Sequence, residues 1–264
     1  MNFIHHRFSI PLAAALSALL AVACTSPAPV PAPVPELATL RVGFATNYPP
    51  ICTTDADGNP AGLEADFAAA LADELGCPLE IVSLDFDQLF PALLDGRVDI
   101  LMSGLTVTPT RAYRVRFCKP YLSNPLVAAT RSGWGGSFAS ASHVLAASGS
   151  IGVLRHTYGE TFVRRNCPRA RIVPISNYDH VPQDLDSNRY SIYIDDLAAL
   201  LDLAAKHSGV LEIIPFPLQQ QDIAWAVHPD NAALLSAANA ALDKWKANGR
   251  LNTMLDRWLP GRFW

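Results

Sequence analysis

The sequence predicts an α/β protein of two lobes that share a cleft, and three observations predict it. Short β-branched runs alternate with helix-patterned runs, the signature of a mostly parallel sheet covered on both faces by helices. The alternation restarts after a Gly/Ser-rich stretch at residues 132–142 (SGWGGSFASAS), with no long linker between the halves. The chain has 264 residues, 50% of them hydrophobic and 17% charged, which suffices for two lobes with cores of their own. A cleft between two such halves excludes water from both sides, and a small ligand is expected there.

In chain order, Arg7 and two histidines precede an apolar run at residues 11–23 (PLAAALSALLAVA). The run is shorter than the roughly 20 residues that span a bilayer, so residues 1–23 read as an export signal. Its end, Ala21-Val22-Ala23-Cys24, resembles a bacterial lipobox, with Ala21 where Leu is usual. The resemblance implies lipidation of Cys24 and a membrane anchor. Small residues at Ala21 and Ala23 equally suit an ordinary signal peptidase, so simple secretion stays open. Residues 24–37 are rich in proline, which predicts a semi-rigid tether, with a disordered leftover of no role as the alternative. The protein is expected outside the cytoplasm, in the periplasm or cell envelope. There Cys52, Cys77, Cys118 and Cys167 allow three disulfide pairings or free core thiols, and their spacings fit no zinc pattern.

Leu40–Phe44 reads as the first strand, stopped by Pro49 and Pro50. Residues 55–58 (DADG) are a turn, and residues 65–75 a helix that stops at Gly76. A strand at 79–82, a helix at 86–94 and a strand at 98–102 follow. The second half repeats the pattern: a strand at Ser150–Leu154, a helix at 157–166, and strands at 171–173 and 191–194. A helix at 197–205, a strand at 223–227 and helices at 231–248 and 251–259 complete the chain.

Thr108-Pro109 is an N-cap followed by proline at the first helical position, so a helix begins there with Arg111 in its first turn. A guanidinium fork beside free backbone N–H groups can grip a carboxylate. Asp196 follows the strand at 191–194, at the carboxyl end where open α/β sheets bind ligands. Asp196 can also serve as N-cap of the next helix, and Asp195 can exchange roles with it. Thr157 and Glu160 have capping-box spacing. The net charge of −4 and the lack of any Lys/Arg run give no basis for nucleic-acid binding. No nucleophile elbow, metal-ligand triplet or phosphate loop is present, so no catalytic residue, metal or cofactor is expected.

An ordered set of segments then carries a resemblance. Asn47-Tyr48-Pro49-Pro50, Gly62-Leu63-Glu64-Ala65-Asp66, the run from Phe90 to Asp99, Ser103-Gly104-Leu105-Thr106 through Arg111, and Phe117-Cys118-Lys119-Pro120-Tyr121 stand in sequence. The match continues through Gly152-Val153, Thr157 to Glu160, Ile194 to Asp196 and Trp245 to Trp258. Together they resemble the periplasmic solute-binding proteins of family 3, the amino-acid receptors of ABC importers. The resemblance implies a type II binding-protein fold, with lobe 1 at 38–129 plus 223–264, lobe 2 at 130–222, and crossings near Thr130 and Asp222. It also implies a monomer that binds an amino acid and presents it to the membrane subunits of an ABC importer. By the same resemblance Arg111 takes the ligand α-carboxylate and Asp196 the α-ammonium. Thr106 and Thr157 add hydroxyls to the carboxylate, backbone groups of Ser103 and Gly104 line that wall, and Tyr48 and Phe86 flank the ligand side chain.

Two departures bear on specificity. Ala45 stands where receptors for basic amino acids often carry Asp, and Leu154-Arg155-His156-Thr157 replaces a Gln-x-Gly-Thr pattern. They argue for a neutral or acidic ligand over Lys or Arg. Some relatives in the family are cyclohexadienyl dehydratases, so an enzyme using Tyr158 or His156 against Asp196 is the alternative.

Overall fold

The computed structural model describes residues 37–259. The export signal at 1–23, Cys24 and the tether up to residue 36 lie outside the described residues. β1 (Leu40–Phe44) leads through a small hairpin of β2 (Thr53–Thr54) and β3 (Pro60–Ala61) to α1 (Leu63–Leu75). β4 (Leu79–Ser83), a 3-10 turn at Phe86–Gln88, α2 (Leu89–Leu94), β5 (Ile100–Leu101), α3 (Pro109–Ala112) and β6 (Arg116–Phe117) follow. β7 (Leu122–Ser123) and β8 (Leu126–Arg131) carry the chain into the second half. There stand α4 (Ala141–Leu145), β9 (Ser150–Leu154), α5 (Tyr158–Asn166) and β10 (Arg171–Ile175). α6 (Val181–Asp186), β11 (Ile192–Asp196), α7 (Leu197–Lys206) and β12 (Leu211–Gln219) complete it. β13 (Asp222–Ile223) returns to the first half, which ends with β14 (Ala226–Val227), α8 (Ala232–Ala247) and α9 (Arg250–Trp258).

Two five-stranded sheets result, ordered β4-β1-β5-β14-β6 and β10-β9-β11-β8-β12. In each, four strands share one direction and one runs against them, β14 in the first and β8 in the second. Helices cover these sheets, so the central strands are apolar on both faces. In β1, Leu40, Val42 and Phe44 are fully buried, and Phe67 and Leu71 of α1 pack in the same core. α1 stops where Gly76 takes the left-handed conformation and its N–H reaches back to the last turn. Phe67, Tyr121, Trp225 and Trp245 form an aromatic cluster at the centre of this lobe, with ring centroids 5.1–6.2 Å apart.

The lobes are joined by two strands of chain. β7 and β13 pair antiparallel, Ser123 opposite Asp222 and Leu122 opposite Ile223, forming a narrow ribbon between the sheets. Asp222 opens β13, where the chain passes back toward the first sheet. The first crossing differs: an expected limit at residues 129/130 falls inside β8, whose backbone pairs with β11 and β12 of the second sheet. Sheet pairing therefore puts this crossing just before Leu126. The expected strand at 223–227 is broken into β13 and β14, with Trp225 fully buried between them. Cys52, Cys77, Cys118 and Cys167 are all free thiols.

Candidate binding site

The segments that follow six strands, β1, β4 and β5 from one sheet and β9, β10 and β11 from the other, meet around one cavity of about 360 Å³. Ligands collect at such carboxyl ends because the chain leaves the sheet there with free backbone groups and variable side chains. All eight expected residues line it: Tyr48, Phe86, Ser103, Gly104, Thr106 and Arg111 from the first lobe, Thr157 and Asp196 from the second.

Arg111 sits where its local sequence predicts. The Thr108 hydroxyl accepts the Arg111 backbone N–H at 3.2 Å, and Pro109 opens α3. Its guanidinium lies against the rings of Phe86 and Phe90, 5.6 and 5.5 Å from their centroids. Nη1 donates to the Thr106 carbonyl at 3.0 Å, and no carboxylate comes within ion-pair distance of Arg111 among the described residues. Desolvation pulls its pKa down to about 10, against the opposing charge of Asp196. A half-buried cation with spare donors toward a cavity is matched to an anion.

Asp196 provides the opposite charge. It occupies the N-cap position of α7, yet its side chain makes no capping hydrogen bond. Its two oxygens instead accept from the Tyr48 hydroxyl and from Gln221 Nε2. Asp195 lines the same cavity with both oxygens engaged: the Tyr193 hydroxyl donates to Asp195 Oδ2 at 2.6 Å, and the Asp196 N–H to Oδ1 at 2.9 Å. Burial raises both carboxyls, Asp195 to about 6, and at Asp196 the neighbouring Asp195 charge adds to the rise. Two adjacent buried carboxylates without a contacting cation are matched to an ammonium.

The remaining residues shape the walls. Gly104 has φ +61, and a Cβ there would overlap the Tyr48 ring, so glycine lets the two pack. Tyr48 accepts from Asn124 Nδ2 at 3.1 Å while donating to Asp196, which joins the lobes across the cleft. The buried Ser103 hydroxyl accepts the Ala45 N–H at 3.0 Å. Thr106 donates its hydroxyl to Gln221 Oε1 at 3.0 Å. Thr157 caps α5 by accepting the Glu160 N–H at 3.3 Å, and its own hydroxyl donates to the Leu154 carbonyl. The capping box is not strict: Glu160 accepts the N–H of His156, which precedes the cap, and not that of Thr157. Neither His156 nor Tyr158 hydrogen-bonds Asp196 in the described structure, although both line the cavity.

Sequence reasoning missed several contributors. Gln221 contacts both Thr106 and Asp196, but as the last of three consecutive glutamines it carries no local signal that sets it apart from Gln219 and Gln220. Asp85 and Asp87 line the cavity beside Phe86, so acids stand near Ala45 after all. Glu64 is fully buried behind Gly104, whose N–H it accepts at 2.8 Å; a carboxylate among the apolar first residues of α1 was its visible sign.

Comparison with known proteins gives the family and the fold. The family model described as "Bacterial extracellular solute-binding proteins, family 3" matches residues 40–261. The L-cystine-binding protein TcyJ of Escherichia coli (strain K12) is 28% identical over 250 residues, covering 94% of this chain and 92% of that protein. The putative ABC transporter arginine-binding protein 2 of the same strain is 28% identical, covering 83% of this chain and 90% of its own length. Among solved structures, an ancestral amino acid-binding protein that is a precursor of cyclohexadienyl dehydratase has a TM-score of 0.77 at 27% identity. It covers 84% of this chain and 95% of its own.

Proposed function

The chain belongs to the bacterial extracellular solute-binding proteins, family 3, and from that premise we propose that it is an exported receptor whose lobes close on one amino acid and deliver it to the membrane subunits of an ABC importer. The observation that carries this reading is the pair of opposite charges across one cavity, Arg111 without a carboxylate partner and Asp196 without a cation. Arg111 takes the α-carboxylate, helped by the backbone of Ser103 and Gly104, by Thr106 and Thr157, and by the first amides of α5. Asp196 takes the α-ammonium, and Tyr48 and Phe86 flank the side chain. Each lobe supplies part of the contacts, so the ligand favours the closed arrangement.

Asp85 and Asp87 as well as Arg155 line the cavity, so its charge does not by itself disfavour Lys or Arg. Residues 1–23 act as the export signal, Cys24 as the lipid anchor and residues 24–37 as the tether of a monomeric receptor. The dehydratase alternative is favoured by one observation, the buried Asp195–Asp196 pair beside the Tyr48 hydroxyl. One screen separates the two. Thermal shift of the purified chain against the common amino acids, L-cystine, arogenate and prephenate should show a rise with an amino acid and no turnover. No shift with any amino acid, or consumption of arogenate or prephenate, would overturn the receptor reading.

A further inference from the structure

Glu64 is fully buried in the first turn of α1, and no lysine, arginine or histidine lies within ion-pair distance of it among the described residues. Three neutral donors from three other parts of the lobe converge on its carboxylate. Gly104 N–H and the Tyr121 hydroxyl donate to Oε1 at 2.8 and 2.6 Å, and Trp225 Nε1 donates to Oε2 at 2.8 Å. Other titratable groups that face it are the Cys52 and Cys118 thiols, both pushed up by burial and by its charge, and therefore neutral at pH 7. A buried carboxylate is costly unless its oxygens are satisfied, and these three bonds satisfy them.

Only one of the three donors lines the cleft. Gly104 packs against the Tyr48 ring through its missing Cβ, and Tyr48 reaches Asp196 across the lobes. We propose that Glu64, which does not itself line the cavity, is the positioning residue that holds the Gly104 wall and the Tyr48 ring in the geometry that receives the ligand. The proposal rests on the receptor reading for its ligand, but not for its geometry. Its strength depends on ionisation. An ionised carboxylate accepts all three bonds as charge-assisted ones, whereas the neutral acid is a weaker acceptor and loosens its hold on Gly104. Desolvation lifts the carboxyl to about 7, so the change falls near neutral pH.

The test compares Glu64→Gln with Glu74→Gln. Glu74 lies on the same helix and accepts an indole N–H from Trp245 at 3.2 Å, but has no link to the cavity. Calorimetry with L-arginine and L-cystine at pH 8 should show Glu64→Gln weakened by about tenfold, the loss of one charge-assisted bond, and Glu74→Gln unchanged. The gap between wild type and Glu64→Gln should narrow toward pH 5.5. Wild-type binding by Glu64→Gln at pH 8, or a gap independent of pH, overturns the proposal. A wild type that binds neither probe speaks against the receptor reading or these ligands, and Glu64 is then judged without ligand. The Gly104 amide resonance should titrate near neutral pH in wild type, and with a higher midpoint in Tyr121→Phe, which removes one donor. An amide that does not titrate overturns the proposal, even where Glu64→Gln does not fold.

Discussion

The two lobes are built on one plan and charged in opposite ways. Each has a five-stranded sheet with one reversed strand, and each turns the carboxyl ends of its strands toward the same cavity. The first lobe contributes a cation held against two phenyl rings, with its own buried carboxylate set behind the wall. The second contributes two adjacent buried carboxylates at the end of β11. Neither half presents a complete site for a zwitterion. On the proposed receptor reading, the difference couples binding to closure, because the ligand would supply the charges that each wall lacks.

Breaking the cationic wall has the largest expected effect. Arg111→Ala should weaken amino-acid binding by at least about 30-fold, as truncating one partner of a desolvated charge pair costs about 2–5 kcal/mol. Calorimetry measures it directly, and an unchanged affinity would remove Arg111 from the site. On the other wall, Asp196→Asn should weaken binding by roughly 10–100-fold by losing the charge while keeping the shape. Asp195→Asn should change it by less than about threefold, since Asp195 is engaged by Tyr193 and the Asp196 N–H. Equal losses in the two variants would mean that the pair acts as one unit.

The pH dependence of folding sharpens the same comparison. Glu64 and Asp195 are both raised by burial, to about 7 and about 6, from ordinary values of 4.5 and 3.8. The folded state therefore binds more protons than the unfolded chain between these limits. Stability should be fully present below the unfolded values and decline as pH rises through 6 and 7. A melting temperature that rises steadily from pH 5 to 8 would contradict this. The smallest effect is at the cap that aims Arg111. Thr108→Ala should cost about 1 kcal/mol in denaturant unfolding and only a few-fold in affinity, because α3 keeps Pro109 at its start.

Much of this was legible in the residues. The N-cap and proline before Arg111, the glycine stop of α1 and the helices at the C-terminus appear where their patterns place them, and Asp196 stands at the carboxyl end of an apolar strand, which runs two residues further than its pattern indicates. What escaped has physical causes. β12 contains Pro215 and Pro217 and has an irregular register, so its composition argues against a strand although β8 pairs with it. β8 itself ends near the chain midpoint, and the choice between lobes depends on which edge it pairs with.

By itself, the sequence determined the local matters: where helices begin and stop, which short runs are strands, and which charged residues stand at strand ends. These depend on neighbours a few residues apart, through capping, turn chemistry and periodicity. Only the tertiary structure decided that Asp196 leaves its capping role for Tyr48 and Gln221. Only it decided that Asp85 and Asp87 join the cavity, and that Glu64 stands behind Gly104. Those outcomes depend on groups as far apart as the 161 positions between Glu64 and Trp225. Burial and pairing between such distant groups exist only once both sheets are assembled, and no local pattern encodes them.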